Sequence, residues 1–162
     1  MQFAEYPSPV GKLLLLSDGE ALTGLYMDAA APEDAVQVDN PVLRQTAAWL
    51  DDYFNGVQSQ WNVPLAPQGT AFQKQVWKLL LTIPYGQTCS YGDIAREIAR
   101  QTGKEKMSAQ AVGQAVGSNP ISILIPCHRV VGAKGQLTGY AGGLEKKIWL
   151  LRHEGWMKEE MI

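Results

Sequence analysis

Two cysteines, two histidines and no long apolar run set the first limits on this 162-residue chain. Cys89 and Cys127 form no Cys-x-x-Cys pair, and His128 and His153 are the only histidines, so a structural zinc site would need all four to converge. No metal is expected, and none of these residues lies in the first 69 positions. A disulfide staple is not expected in a reducing compartment. The longest apolar stretches, Leu13–Leu16 and Ile121–Pro126, fall far short of the ~20 residues of a membrane span. No membrane partner is expected. Met1–Val10 contains Glu5 but no Lys or Arg, so the basic start of a secretory signal is missing and a cytoplasmic protein is expected. With 46% apolar and 19% charged residues, the composition excludes disorder, collagen and coiled coil.

The net charge of −2 hides an asymmetry. Residues 1–69 hold two cations against nine anions, whereas residues 70–162 hold twelve cations against seven anions. The second part is suited to face a polyanion that the first part repels. Val63-Pro64-Leu65-Ala66-Pro67-Gln68-Gly69 separates them and reads as a boundary. Two domains are expected, residues 1–66 and 70–162.

The first begins as an antiparallel meander of Gln2–Tyr6, Lys12–Ser17 and Leu22–Met27, with turns at Pro7-Ser8-Pro9 and Asp18-Gly19-Glu20. Asn40-Pro41 then opens a helix that runs to about Phe54. In the second domain the pattern is helical from Thr70, Ser90 caps a second helix, and Ser108 can cap a third, Ala109–Gly117, made almost wholly of small residues. Helix, loop and small-residue helix suggest a helix-turn-helix with a long turn. Ile121–Ile125 reads as a short buried strand leading to Pro126-Cys127-His128-Arg129, and a glycine-rich loop precedes a final helix, Leu144–His153. The five tryptophans and most tyrosines, Tyr91 excepted, are core candidates. The class is α+β (α/β).

Cys127 follows a proline and is flanked by His128 and Arg129, which favour a thiolate, so it is a candidate nucleophile as well as a candidate inert core thiol. In extended chain adjacent side chains point apart, so His128 serves Cys127 only if the backbone bends there or a water bridges them. Glu154, beside the helix-stopping Gly155, is a candidate to orient His128 and complete a Cys-His-Glu relay. His153 suits a structural place at a helix C-terminus.

Ser118-Asn119-Pro120, Ile121–Ile125, Pro126-Cys127-His128-Arg129-Val130, Thr138-Gly139-Tyr140-Ala141-Gly142-Gly143 and Leu150-Leu151-Arg152-His153-Glu154-Gly155 together resemble the O6-alkylguanine-DNA alkyltransferases, the methylated-DNA–protein-cysteine methyltransferases. The resemblance spans about Thr70 to Trp156. It implies a ribonuclease-H-like N-terminal domain, a mainly helical C-terminal domain with a helix-turn-helix and a short strand leading to the active-site cysteine, and a DNA-repair activity. Such a protein binds double-stranded DNA in the minor groove, flips out O6-alkylguanine and moves the alkyl group irreversibly onto its own cysteine. It needs no cofactor and acts as a monomer. O4-alkylthymine is a second candidate substrate.

By that resemblance Cys127 is the acceptor, His128 its base acting through water, Glu154 the residue that holds His128, and Asn119 the one that holds the turn after the recognition helix. Tyr91 donates to the guanine, Val130 and Ala141 join Cys127 in reading the guanine edge through backbone groups, and Tyr140 forms the pocket wall. Ser90, Gln110, Ala111 and Gly113 are the expected DNA-facing positions. Better-known members place arginine where this chain has Gln110, so weaker and less salt-sensitive DNA binding is expected, with Lys104 and Lys106 of the preceding loop able to compensate. Two other readings remain open: an alkyltransferase-like protein that binds damaged guanine without reacting, and a cysteine hydrolase built on Cys127, His128 and Glu154.

Overall fold

The computed structural model describes residues 1–137 and 143–156. The chain divides into two compact units, one of Met1–Gln68 with Pro120–Ser122 and one of Gly69–Asn119 with Ile123–Ile162.

In the first unit, β1 (Gln2–Ser8), β2 (Gly11–Ser17) and β3 (Leu22–Met27) pair antiparallel in sequence order. The first turn is tighter than the proline spacing suggests. Ser8 pairs with Gly11, whose φ of +102° closes the hairpin. A two-residue strand, β4 (Val36–Gln37), pairs in parallel with β1 and makes the sheet mixed, in the order β3-β2-β1-β4. Nothing in two residues of sequence announces such a non-local pairing. Helix α1 (Pro41–Phe54) packs on the sheet through Val42, Leu43, Thr46, Leu50 and Tyr53. Its start is set locally: Pro41 has no N–H to lose, and Asn40 Oδ1 accepts from the Leu43 N–H at 2.8 Å. Leu13, Leu14 and Leu15 are all buried, so both faces of β2 are covered.

The second unit contains α2 (Ala71–Leu80), α3 (Tyr91–Thr102), α4 (Ala109–Gly117) and α5 (Leu144–His153). Thr70 with Gln73, and Ser90 with Asp93, form reciprocal capping boxes, and the Ser108 hydroxyl accepts from the Ala111 N–H. Helices α2, α3 and α4 pack on one another, and the buried Trp77 indole donates to the Ala115 carbonyl at 2.8 Å. Contact requires no glycine in α4. A Cβ on Gly113 would meet only the Tyr91 ring, at 3.8 Å, and one on Gly117 would meet nothing within 4 Å. Two-residue strands β5 (Cys89–Ser90) and β6 (Val130–Val131) pair in parallel, placing the start of α3 beside the chain that leaves Cys127.

Ile121–Ile125 is not a strand. Ile121 makes one bridge to Leu25, and the chain then turns through Ser122–Leu124, with Ile123 at φ +70°. The side chains are buried as expected, but Pro120 and Pro126 remove backbone donors at both ends, and an apolar run is equally compatible with a buried turn. Of the tryptophans only Trp77 is fully buried; Trp49, Trp61, Trp149 and Trp156 are half-buried, and Tyr26 is exposed. Cys89 is half-buried, with Sγ 3.9 Å from an Asp93 carboxylate oxygen. No described helix is long and apolar enough to cross a membrane.

Candidate active site around Cys127

Cys127 opens a single 3-10 turn, Cys127–Arg129, immediately after the buried Pro126. The bend arises locally: the Cys127 N–H donates to the Ile125 carbonyl at 2.8 Å, and the Arg129 N–H to the Pro126 carbonyl at 3.0 Å. It takes the chain out of the extended form that would send the side chains of Cys127 and His128 to opposite faces. Asn119, 8% exposed, closes the preceding turn, its Nδ2 donating to the Ile125 carbonyl at 2.8 Å.

His128 is fully buried. Its Nε2 lies 2.7 Å from Glu154 Oε2, while Nδ1 has no hydrogen-bond partner among the described residues. Glu154 caps the C-terminus of α5 and is buried. Burial alone would raise its pKa, but the hydrogen bond from His128 and the guanidinium of Arg129 outweigh that and hold the carboxyl well below the usual carboxylate range. An ionised carboxylate only accepts, so the proton between the two groups sits on Nε2. Burial holds the His128 pKa below its ordinary value, against the opposing pull of Glu154, and the ring is neutral near pH 7. Nδ1 therefore carries the free lone pair.

Arg129 does more than lend charge beside the cysteine. Its Nε donates to Glu154 Oε1 at 2.7 Å, its Nη2 to Oε2 at 3.1 Å and its Nη1 to the Ile83 carbonyl at 2.8 Å, with Tyr85 5.7 Å below the guanidinium. One carboxylate thus ties the end of α5 to the 3-10 turn, and Arg129 ties that turn to the loop after α2. The loop passes close: a Cβ on Gly86, at φ +78°, would stand 3.0 Å from the Glu154 carbonyl oxygen. Gly86→Ala is accordingly expected to lower the unfolding free energy by about 1–2 kcal/mol in a urea titration.

Lys147 escaped the sequence reading. It is fully buried on α5, its Nζ donates to the Val130 carbonyl at 2.6 Å, and its ammonium interacts electrostatically with Cys127. Burial lowers its pKa and the Cys127 charge opposes that effect. The available signal was periodicity, since Lys147 shares the buried stripe of Leu150, Leu151 and Glu154. A lysine on such a stripe calls for a partner.

Val130 is fully buried in β6, with its carbonyl already engaged by Lys147 and its N–H donating to the Cys127 carbonyl. Tyr91 is the first residue of α3, half-buried, its ring toward Gly113. Ser90 spends its hydroxyl on the α3 cap; Gln110 is exposed in the first turn of α4, followed by the half-buried Ala111. Tyr140 and Ala141 lie outside the described residues. His153 stacks on Trp149, with ring centroids 4.9 Å apart, and its carbonyl accepts from the Tyr85 hydroxyl at 3.4 Å. Among the described residues no group of three or more His, Cys, Asp or Glu side chains is placed to hold a metal ion.

Residues 1–67 match the family model of the 6-O-methylguanine DNA methyltransferase ribonuclease-like domain, and residues 71–156 that of the DNA binding domain. A methylated-DNA–protein-cysteine methyltransferase of Haemophilus influenzae is 45% identical over 159 residues, which covers 95% of this chain and 86% of that protein. One of Methanosarcina acetivorans is 44% identical over 161 residues, covering 96% and 99%. The crystal structure of Mycobacterium tuberculosis OGT in complex with DNA superposes with a TM-score of 0.85 at 40% identity, covering 99% of this chain and 98% of that one. Both parts of the chain match, at high coverage of full-length relatives: it belongs to the 6-O-methylguanine DNA methyltransferase family.

Proposed function

We propose that Cys127 accepts the alkyl group of O6-alkylguanine in double-stranded DNA, once per chain, and so reverses the damage directly. The observation that carries this reading is the buried cysteine beside a neutral imidazole whose Nε2 is fixed by Glu154 and whose Nδ1 is open. His128 takes the thiol proton at Nδ1 through a bridging water, the kind of partner a buried polar atom recruits. The thiolate attacks the alkyl carbon; the S–C bond forms, the C–O6 bond breaks, and the leaving guanine regains a proton with help from the Tyr91 hydroxyl. The product is a thioether, which offers no good leaving group, so the chain is spent.

A base inside the stack is out of reach of a buried sulfur, so the damaged nucleotide must be flipped, at a cost of a few kcal/mol. The α4 surface of Gln110, Ala111 and Gly113 is small enough to enter a minor groove closely, with Tyr91 at its edge. Backbone groups of Cys127, Val130 and Ala141 would read the guanine edge, with Tyr140 as the pocket wall; the Cys127 N–H is already taken by Ile125, but the Cys127 and Val130 carbonyls each keep a second lone pair beside the bond they accept. Support for a DNA partner also comes from the relative solved with DNA. One chain carries the whole relay, which favours action as a monomer.

Intact and peptide mass after mixing with a duplex containing O6-methylguanine tests the reading. One methyl group per chain, confined to the Cys127 peptide and absent with unmodified duplex, is expected. Binding of the damaged duplex with no gain of mass would replace transfer by recognition alone. Steady turnover of small esters, without alkylation, would point to a hydrolase.

A further inference from the structure

A groove of about 460 Å³ runs between α3 and the loop that leads to α4. Its α3 side is built of small residues, Gly92, Ala95 and Ala99, which let a bulky chain come close. Its cations are Arg96, Arg100, Lys104 and Lys106, against the single carboxylate of Glu105. The four cations are not equivalent. Arg96 and Arg100 are each paired with a carboxylate one turn earlier, Asp93 and Glu97. No described carboxylate pairs with Lys104 or Lys106, and both are exposed. The loop that bears them is anchored at both ends. Gly103, at φ +70°, ends α3 with its N–H bonded back to the helix, and the Ser108 hydroxyl caps α4. The two lysines are thereby held beside the start of α4.

A second groove, of about 660 Å³, shares Gly92, Arg96 and Ala109 with the first and contains Tyr91 and Lys134. The two run together past the first turn of α4. Resting on the function proposed above, which puts Tyr91 beside the reacting nucleotide, we propose that the first groove is a separate phosphate-binding track. In it, Lys104 and Lys106 hold two backbone phosphates of the same duplex, away from the flipped base. A polyanion fits a groove whose only unpaired side-chain charges are two lysines around one glutamate. The track supplies affinity and register, and touches neither the sulfur nor the damaged base.

The test is the salt dependence of binding to a duplex containing O6-methylguanine, with Lys104→Gln/Lys106→Gln compared with the unaltered chain. Each phosphate contact contributes about 0.9 to the slope of log affinity against log salt, so the slope should shrink by about 1.8. Between about 50 and 200 mM salt the double variant should then lose about 12-fold less affinity than the parent. Lys104→Arg/Lys106→Arg should keep the parental slope, and Lys78→Gln, on an exposed part of α2 outside both grooves, should also leave it unaltered. An unchanged slope in the glutamine double variant, or an equal fall with Lys78→Gln, overturns the track. Methyl transfer by the unaltered chain, read by mass in the same mixtures, keeps this outcome apart from failure of the functional reading: transfer with unchanged slopes rejects the track alone, and absence of transfer rejects the reading beneath it.

Discussion

Replacing Glu154 by glutamine is expected to lower the unfolding free energy by about 3–5 kcal/mol and to slow alkyl transfer about 10²-fold or more. Both effects follow from one carboxylate with three close donors. The substitution leaves the Arg129 guanidinium, its side chain only 11% exposed, without its counter-charge. Breaking a buried pair from one side is what makes the loss large, whereas an exposed pair such as Arg44–Asp39 is worth at most about 1 kcal/mol. The glutamine carbonyl can still accept from one neighbour, but it cannot hold Nε2 and both guanidinium nitrogens with a full charge. His128 then loses the contact that fixes its proton on Nε2 and keeps Nδ1 basic. Urea unfolding and single-turnover transfer, measured on the same preparation, check the two halves. A stability loss below about 1 kcal/mol would mean that the Arg129 charge is solvated rather than buried.

The same cluster sets the acid response. Glu154 has a folded pKa below its unfolded one, so its contribution is present above the ordinary glutamate range and is lost as pH falls through and below it. His128 is also depressed in the fold. The unfolded chain binds a proton below about pH 6.5 that the folded chain resists, so this residue too makes stability fall as pH falls. Stability is expected to decline from about pH 6.5 downward and more steeply below about pH 4.5. In Glu154→Gln the steeper, lower part should be much reduced, which denaturant midpoints across pH can read.

What the sequence made legible was mostly local. Asn40, Ser90 and Ser108 each cap a helix by a bond to the N–H three residues on, and such a bond depends on nothing remote. The small-residue helix Ala109–Gly117 has the bounds its cap and composition suggest. Pairings that close over long separations stayed hidden. Strands β4, β5 and β6 are two residues each, and their partners lie 34 positions away for β4 and 41 for the β5–β6 pair. The apolar run after Pro120 was legible as buried but not as turned, because burial says nothing about backbone direction once prolines remove the donors. At the site, Cys127, His128 and Glu154 were visible as types with a chemistry, and the resemblance supplied their grouping. The clamp of Arg129 on Glu154, and the burial of Lys147, required the fold: each brings a charged side chain to a remote backbone carbonyl, Ile83 in one case and Val130 in the other.

Lys147→Met is expected to separate reactivity from stability. A thiolate that favours the lysine cation is favoured by it in return, because coupling between two sites is reciprocal. Removing the ammonium should therefore move the pH at which transfer reaches half its plateau upward, and slow transfer near neutrality by about tenfold. Stability should change little. Methionine fills much of the same volume and relieves the burial of a charge, while the Val130 carbonyl loses a donor at a cost of about 1–3 kcal/mol, so the two changes offset. A structural role for Lys147 gives the reverse pattern, a large fall in unfolding free energy with the pH profile of the surviving protein unmoved. Those two outcomes are distinguished by measuring the profile at saturating duplex. There the rate reports the sulfur rather than the binding, and an unmoved midpoint would remove Lys147 from the electrostatics of Cys127.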